Sequence, residues 1–532
     1  MGMMKPLIKL AWVAVLLCLP WAGARAEWKE ATTANFVVYA EGDEAHLRAF
    51  ATKLEKFNYV LRTYHGVTAP PSPIKLKVYL FPSIAGVQKM AGGPGVAGYY
   101  VARARGLMFV GTNARTVSRS NDARTARFDA PLDAQSILLH EYTHHFMYQY
   151  FPATYPTWYS EGFAEFWGAT DILDNDVVEV GLPADYRFGS FVFNRWLPLG
   201  KLLTAQSYED VPEVDLLYAQ GWLLVRYIFD DPARRKQLQA YLNAINGGKS
   251  YEQAMNDAFE DVGALDNQLH SYAGKGKFSV LRLPFRKIDT GPIAVRTVSP
   301  AEDAMMTLSI ELAQGVLKRE AAEFAGKVRS AAGRFPTDPF ALALLSEAER
   351  LAGNNDAASA AADRLLAAAP GDPKGLLNKA LAEMEKLKAA SSKDPRAWEA
   401  VRRHLIRANR AAPNDPLILE AFYESYAGSG TIPPDGAQAA LYRAMELAPS
   451  DGDLRYKVAA DFERRNMIAE AIAIIRPEAY RLPHRKGETA KEKKRREERE
   501  EKDRGAGEVK RESAREMLAR LEGRLAAKPK AR

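Results

Sequence analysis

The apolar positions of this chain repeat with a period of two in some stretches and of about 3.6 in others, and the switches between them outline its architecture. Asn35–Ala40 and Ile74–Leu80 alternate as half-buried strands do, the second after a proline-rich turn. Between them, Glu44–His65 carries its apolar residues at helical spacing. Gly98–Ala102 and Leu107–Val110 flank the basic, glycine-containing Arg103-Ala104-Arg105-Gly106 and predict a hairpin. From about Ala134 to Ala273 the pattern is helical, with Tyr218–Phe229 its most apolar stretch. Lys275–Pro300 contains three prolines and ends that regime.

An Ala- and Leu-rich region follows, from Pro300 to about Pro483. Its signposts are Phe335-Pro336-Thr337-Asp338-Pro339, Ala369-Pro370-Gly371-Asp372-Pro373, Ala412-Pro413-Asn414-Asp415-Pro416 and Ala448-Pro449-Ser450-Asp451. The first prolines of these signposts lie 34, 43 and 36 residues apart. A period near 34 with helix-turn-helix patterning resembles tetratricopeptide (TPR) repeats. Small residues such as Ala358, Ala361 and Ala444 let helices approach closely, and about five units would stack into a solenoid with a concave groove for a protein partner. The 43-residue interval holds the extra stretch Lys386–Pro395, which predicts a lengthened turn or helix there.

At 532 residues the chain exceeds a single core, and 47% hydrophobic with 26% charged residues is ordinary globular composition. The pattern predicts an α+β domain over 27–285, a linker over 286–300, helical repeats over 301–483 and a charged tail over 484–532. The tail, with Lys491-Glu492-Lys493-Lys494-Arg495-Arg496-Glu497-Glu498, is read as a solvated helix or a disordered segment. Residues 1–26 have the parts of a secretory leader: Lys5 and Lys9, the apolar Leu10–Leu19, and Ala24-Arg25-Ala26 before Glu27. Cleavage after Ala26 is expected, which implies a periplasmic chain with no transmembrane span. The single cysteine, Cys18, leaves with the leader, so large cores rather than disulfides must stabilise the remainder. Three cations, Lys5, Lys9 and Arg25, leave too and bring the formal charge from +7 to +4, which excludes nucleic-acid binding by bulk charge.

Chemistry concentrates at Ser136-Ile137-Leu138-Leu139-His140-Glu141-Tyr142-Thr143-His144-His145-Phe146, a His-Glu-x-x-His pattern inside an apolar helical stretch after Asp133, a capping residue. Residues four apart share a helix face, so His140 and His144 can present ring nitrogens to one metal ion while Glu141 projects beside them as a proton acceptor. Three of the eight histidines lie in this stretch, and chance alone would place such a pattern in about one chain in a hundred of this length. His145 is rotated about a hundred degrees off that face and is read as a neighbouring polar residue. Zinc also needs a third protein ligand. Glu161 in Pro156-Thr157-Trp158-Tyr159-Ser160-Glu161-Gly162-Phe163-Ala164-Glu165-Phe166 is the candidate, with Glu165 or Asp171 as alternatives. Glu165, one turn on, is placed to accept the second ring N–H of a liganding histidine. Trp158, Phe163 and Trp167 are read as core.

His140-Glu141-x-x-His144, Trp158-x-x-Glu161-Gly162-x-Ala164-Glu165 and Tyr218-Ala219-Gln220-Gly221-Trp222 together resemble the gluzincin zinc peptidases, and more narrowly the bacterial peptidase-MA-like group, over Glu27 to Tyr272. The resemblance implies a zincin-like fold with one Zn2+ held by His140, His144 and Glu161. It makes Glu141 the general base and Glu165 a carboxylate behind the ligands. It also offers Tyr218, from a downstream helix, as the partner of the developing oxyanion, with His270 as the other candidate for that role. Sixteen residues separate His144 from Glu161, slightly fewer than is usual in that family, so Phe151–Pro156 must connect tightly.

Gluzincins hold an extended substrate along an edge strand, which the Gly98–Val110 hairpin would supply. No Gly-x-Met-Glu-Asn type motif precedes His140, which favours endopeptidase over aminopeptidase action. The rival reading is a catalytically inactive periplasmic TPR scaffold with a peptidase-like binding domain, and a third directs zinc hydrolysis at a cell-wall peptide.

Overall fold

The computed structural model of the chain describes residues 27–93, 96–114, 134–173, 175–182, 196–206, 208–211, 213–276, 278, 280–285, 287–480 and 512–527. The leader, Asp133 and the charged run 491–498 lie outside the described residues. The first region opens with β1 (Trp28–Thr32), β2 (Phe36–Glu41), α1 (Glu44–Tyr64), β3 (Leu76–Phe81), α2 (Ile84–Ala91), β4 (Tyr99–Arg103) and β5 (Gly106–Thr112). It continues with α3 (Ala134–Tyr150), α4 (Thr157–Gly168), β6 (Asp171–Ile172), β7 (Val177–Val180), α5 (Leu199–Thr204), α6 (Val214–Phe229), α7 (Pro232–Asn246), α8 (Tyr251–Ala258), α9 (Val262–Gly274) and β8 (Leu281–Pro284). β9 (Ala294–Thr297) closes it.

The main sheet runs β4-β5-β3-β2-β1-β9, with β2, β3 and β5 parallel and the other neighbours antiparallel. The hairpin forms as its pattern predicts, pairing Tyr99 with Val110 and Arg103 with Gly106. β9 lies inside the segment read as a linker: Ala294–Thr297 pairs with β1 and extends the sheet, so the connection to the next region is itself anchored. β6 and β7 interrupt the helical regime expected between Ala134 and Ala273, and pair with β8 beyond it in a small antiparallel sheet.

Strand parity assigns each face of the main sheet. Phe36, Val38, Ala40, Leu76, Val78, Leu80, Leu107 and Phe109 share one core with α1, α3, α4 and α6. The intervening Tyr79, Phe81, Met108 and Val110 form a second core with Val298, Met306 and Ile310 of the chain that follows. Both faces are therefore covered, and every residue of β5 is buried.

The helical region comprises α10 (Pro300–Gln314), α11 (Ala321–Ala332), α12 (Pro339–Leu351), α13 (Asn355–Ala368), α14 (Pro373–Ala389), α15 (Pro395–Ala411), α16 (Pro416–Gly428), α17 (Asp435–Leu447), α18 (Gly452–Arg464), α19 (Ile468–Ala479) and α20 (Ala514–Ala526). Successive helices pack as a TPR-like array of hairpins. The proline signposts are helix starts. Asp338, Asp372 and Asp415 each cap a helix by accepting a backbone N–H of its first turn, and the proline after each supplies a ready-made φ where no N–H is needed. The lengthened interval goes into two 17-residue helices, α14 and α15, joined through Ser391 at φ 48°. Within the tail, Met517, Leu518 and Leu521 of α20 pack on Ile468, Ile472 and Ile475 and cover the last hairpin. Among the described residues, no helix is long and apolar enough to cross a membrane.

The array lies against the outer face of the sheet. The Trp28 N–H donates to Asp303 Oδ1 (2.9 Å), the Ala104 N–H to Asp451 Oδ2 (2.5 Å), and Arg105 pairs with Glu347.

Candidate metal centre

α3 runs between the sheet and α4, with apolar Leu138, Leu139, Phe146 and Met147 in the main core. Its four-residue spacing brings His140 Nε2 and His144 Nε2 within 3.1 Å of each other. α4 can close onto this face because Gly168 has no side chain: a Cβ there would stand 3.0 Å from the His140 Cβ. α4 is held from behind by α6 at a glycine crossing. A Cβ on Gly162 would meet the Gly221 backbone at 2.3 Å, and one on Gly221 would meet the Trp158 carbonyl oxygen at 2.7 Å. The glycines of the two motifs thus set how near Glu161 comes to the histidines.

Glu161 Oε2 lies 3.3 Å from His140 Nε2 and 3.5 Å from His144 Nε2. Three donor atoms, one from each residue, cluster together, and all three residues are buried. A tetrahedral ion with bonds of about 2.0–2.1 Å has ligand-to-ligand edges of about 3.3–3.4 Å. The observed edges of 3.1, 3.3 and 3.5 Å match that triangle, so the donor set fits zinc in both chemistry and size. Glu141 is buried beside the pair.

Neighbouring groups hold the three donors. Tyr208 OH donates to Glu161 Oε1 at 2.5 Å; burial and the Glu161 charge push that phenol well above its ordinary pKa, which keeps it a donor. Ser160 Oγ lies 3.3 Å from His144 Nδ1. Glu165 Oε1 stands 3.6 Å from His140 Nδ1, at ion-pair rather than hydrogen-bond distance. The Tyr218 ring is 6.1 Å from the His140 ring and stacks at 6.4 Å on Tyr208.

Of the alternatives for the third ligand, Glu165 stands on the far side of the His140 ring, at Nδ1 rather than at the shared Nε2 side; Asp171 and the other oxyanion candidate, His270, lie elsewhere. Asp171 is in β6, 3.8 Å from Lys53. His270 stacks on Trp196 at 4.2 Å and faces Asp266. His145 points away from the donors, as its rotation requires: its Nδ1 is 2.9 Å from Tyr100 OH, which also reaches Ser450 Oγ at 3.1 Å, and burial lowers its pKa to about 4. Trp158, Phe163 and Trp167 are core residues. Tyr208 has no counterpart in the sequence reading. It belongs to a single 3-10 turn, Tyr208–Asp210, and nothing periodic around it indicates where that turn lies.

No family model matches the chain, and no curated protein matches it. Among solved structures it is similar to TTC0263, a thermophilic TPR protein in Thermus thermophilus, at 20% identity with a TM-score of 0.29, over 33% of this chain and 88% of that one. It is also similar to MamA RS-1, an ArsTM double mutant, at 18% identity with a TM-score of 0.24, over 30% of this chain and 86% of that one.

Proposed function

We propose that the chain is an exported zinc-dependent metallopeptidase whose TPR-like array serves protein or substrate docking. The observation that carries the reading is the triangle of donor atoms from His140, His144 and Glu161 at zinc-sized separations, with Glu141 next to His140 on the same helix. When bound there, zinc supplies a Lewis acid that acidifies water and polarises a carbonyl. Glu141 takes the proton of the attacking water and returns it to the departing amine. Tyr218 is assigned to the developing oxyanion, since its ring adjoins His140. Glu165 and Ser160 orient the two imidazoles, and Tyr208 orients Glu161. β4 is one of the two outer strands of the main sheet, and an extended peptide laid along it would use backbone hydrogen bonds and be bound without regard to most side chains.

The test compares the mature chain with its Glu141→Gln variant. The wild type is expected to carry one zinc ion and to degrade an unfolded protein, while Glu141→Gln keeps the zinc and loses activity about a thousandfold. His144→Ala is expected to lose the zinc while a fragment starting near Pro300 stays resistant to proteolysis. A zinc-loaded wild type that cleaves neither proteins nor peptidoglycan peptides would replace this reading with the inactive scaffold.

A further inference from the structure

A cavity of about 610 Å³ lies between the outer face of the sheet and the inner helices of the array, away from the metal centre. Its floor is β3 with the hairpin turn; its roof is the starts of α14 and α16 together with α10 and α12. Strand parity puts Lys77 on the same face as Tyr79, so its side chain is directed at the array instead of at solvent. Lys374, in the first turn of α14, reaches the same space from the opposite wall. Lys75 also lines it.

The acidic groups around the cavity are largely committed. Glu347 pairs with Arg105, and Glu302 pairs with Arg296 while closing the cap of its own helix. Asp415 caps α16 through the Leu417 N–H, and burial raises its carboxyl above the ordinary range. Among the described residues neither the Lys77 nor the Lys374 ammonium forms an ion pair or a hydrogen bond. Desolvation pulls both below the usual lysine pKa and the Lys77 charge lowers Lys374 further, while the Asp415 and Glu347 carboxylates act on both in the opposite sense without pairing with either. Lys77 is half-buried and Lys374 exposed, so solvent reaches the cavity; the two ammoniums still repel each other across it, and an anion seated between them would relieve that repulsion.

We propose that this cavity is a binding site for a small anionic ligand, with a phosphate or carboxylate group seated between Lys77 and Lys374. One part of the wall is apolar, with Leu107, Leu312, Leu344 and Leu377, while Arg105, Ser309, Asn378 and Asn414 add polar groups, so the ligand carries an aliphatic or aromatic body beside its anionic group. The volume is that of an ordinary small-molecule site. Because the walls come from both regions, an occupant joins the sheet to the array. The site owes nothing to the metal chemistry and stands or falls separately from it.

The experiment is calorimetric titration of the mature full-length chain with inorganic phosphate, octanoate and octyl phosphate, each at two salt concentrations. Saturable binding is expected, strongest for a probe with both an anionic head and an apolar tail; octanoate against octyl phosphate tells which head the site takes. Lys77→Met and Lys374→Met are each expected to weaken binding at least tenfold, and Lys77→Arg to retain most of it, with zinc content unchanged throughout. Should Lys77→Met fail to fold, Lys374→Gln on the opposite wall decides. Absence of saturation with all three probes, or equal binding by the wild type and the methionine variants, overturns the proposal.

Discussion

The crossing of α4 with α6 and the hairpins of the array are both close helix contacts, yet they differ in how much change they admit. In the array, Ala358, Ala361, Ala380 and Ala444 meet neighbouring helices through methyl groups and are buried. At the α4–α6 crossing there is no space even for a methyl, because the Gly162 Cα faces the Gly221 backbone itself. A contact of backbone on backbone cannot be relieved by a rotamer change, so the tolerance of the two regions should diverge most here. Gly162→Ala is expected to destabilise the first region by about 3 kcal/mol or more, with loss of zinc binding because Glu161 is displaced with the helix. Denaturant unfolding followed by near-UV circular dichroism checks it. An unchanged first transition would show that α6 yields freely and that the glycines do not position the site.

The regions also differ in how they bury titratable groups. In the array, buried Asp461 receives Tyr423, Tyr442 and Arg464, and buried Glu349 receives Arg329 and Asn354. In the first region His65 sits instead among the rings of Tyr64, Phe146, Phe151, Phe163 and Trp167, and burial lowers its pKa from 6.5 to about 4. Between those two values the unfolded chain holds a proton that the folded chain does not, so stability rises with pH across the window. The contribution is complete above about pH 6.5 and is lost as pH falls towards 4, at roughly 2–3 kcal/mol in all. His65→Phe is expected to flatten that slope for the first region and leave the array's pH response as it was. Equal slopes for variant and wild type would move the acid sensitivity elsewhere.

A smaller effect separates Tyr208 from the rings that only pack. Tyr208→Phe keeps the stacking on Tyr218 but removes the hydrogen bond to Glu161 Oε1. Zinc affinity, measured against a competing chelator, is expected to drop about 10- to 100-fold with little change in folding stability. No change in affinity would make Tyr208 a packing residue like its neighbours.

What was legible in the sequence was local. His140, His144 and Glu141 follow from spacing within one helix, and Glu161 from a short connection into the next. The helix starts of the array follow from Asp-Pro pairs, and the strands from parity. What was hidden depends on distant partners. Lys77 reads as a solvent-facing strand position, and only the array turns its environment into a cavity wall. The run Leu107–Val110 is apolar at consecutive positions, and β5 is buried throughout because partners distant in the chain cover both faces of the sheet. β9 returns to β1 from a proline-rich segment with no strand periodicity, and Tyr208 reaches Glu161 from an irregular turn. The array expected to receive a partner also meets the chain's own hairpin, through Glu347 of α12 and Asp451 at the start of α18.

The smallest expected effect has the opposite sign, and it completes the comparison of the glycines. Gly326 lies inside α11, takes no left-handed φ, and a Cβ built on it meets nothing within 4 Å. Its backbone freedom in the unfolded chain is therefore an entropic cost with no packing return. Gly326→Ala is expected to stabilise the array by about 0.5–1 kcal/mol and leave the unfolding of the first region unchanged. The measurement is the shift of the array transition in denaturant. A loss of stability would mean that α11 is contacted on that face by residues outside those described, and that the array is less tolerant of an added methyl than its alanine-lined hairpins imply.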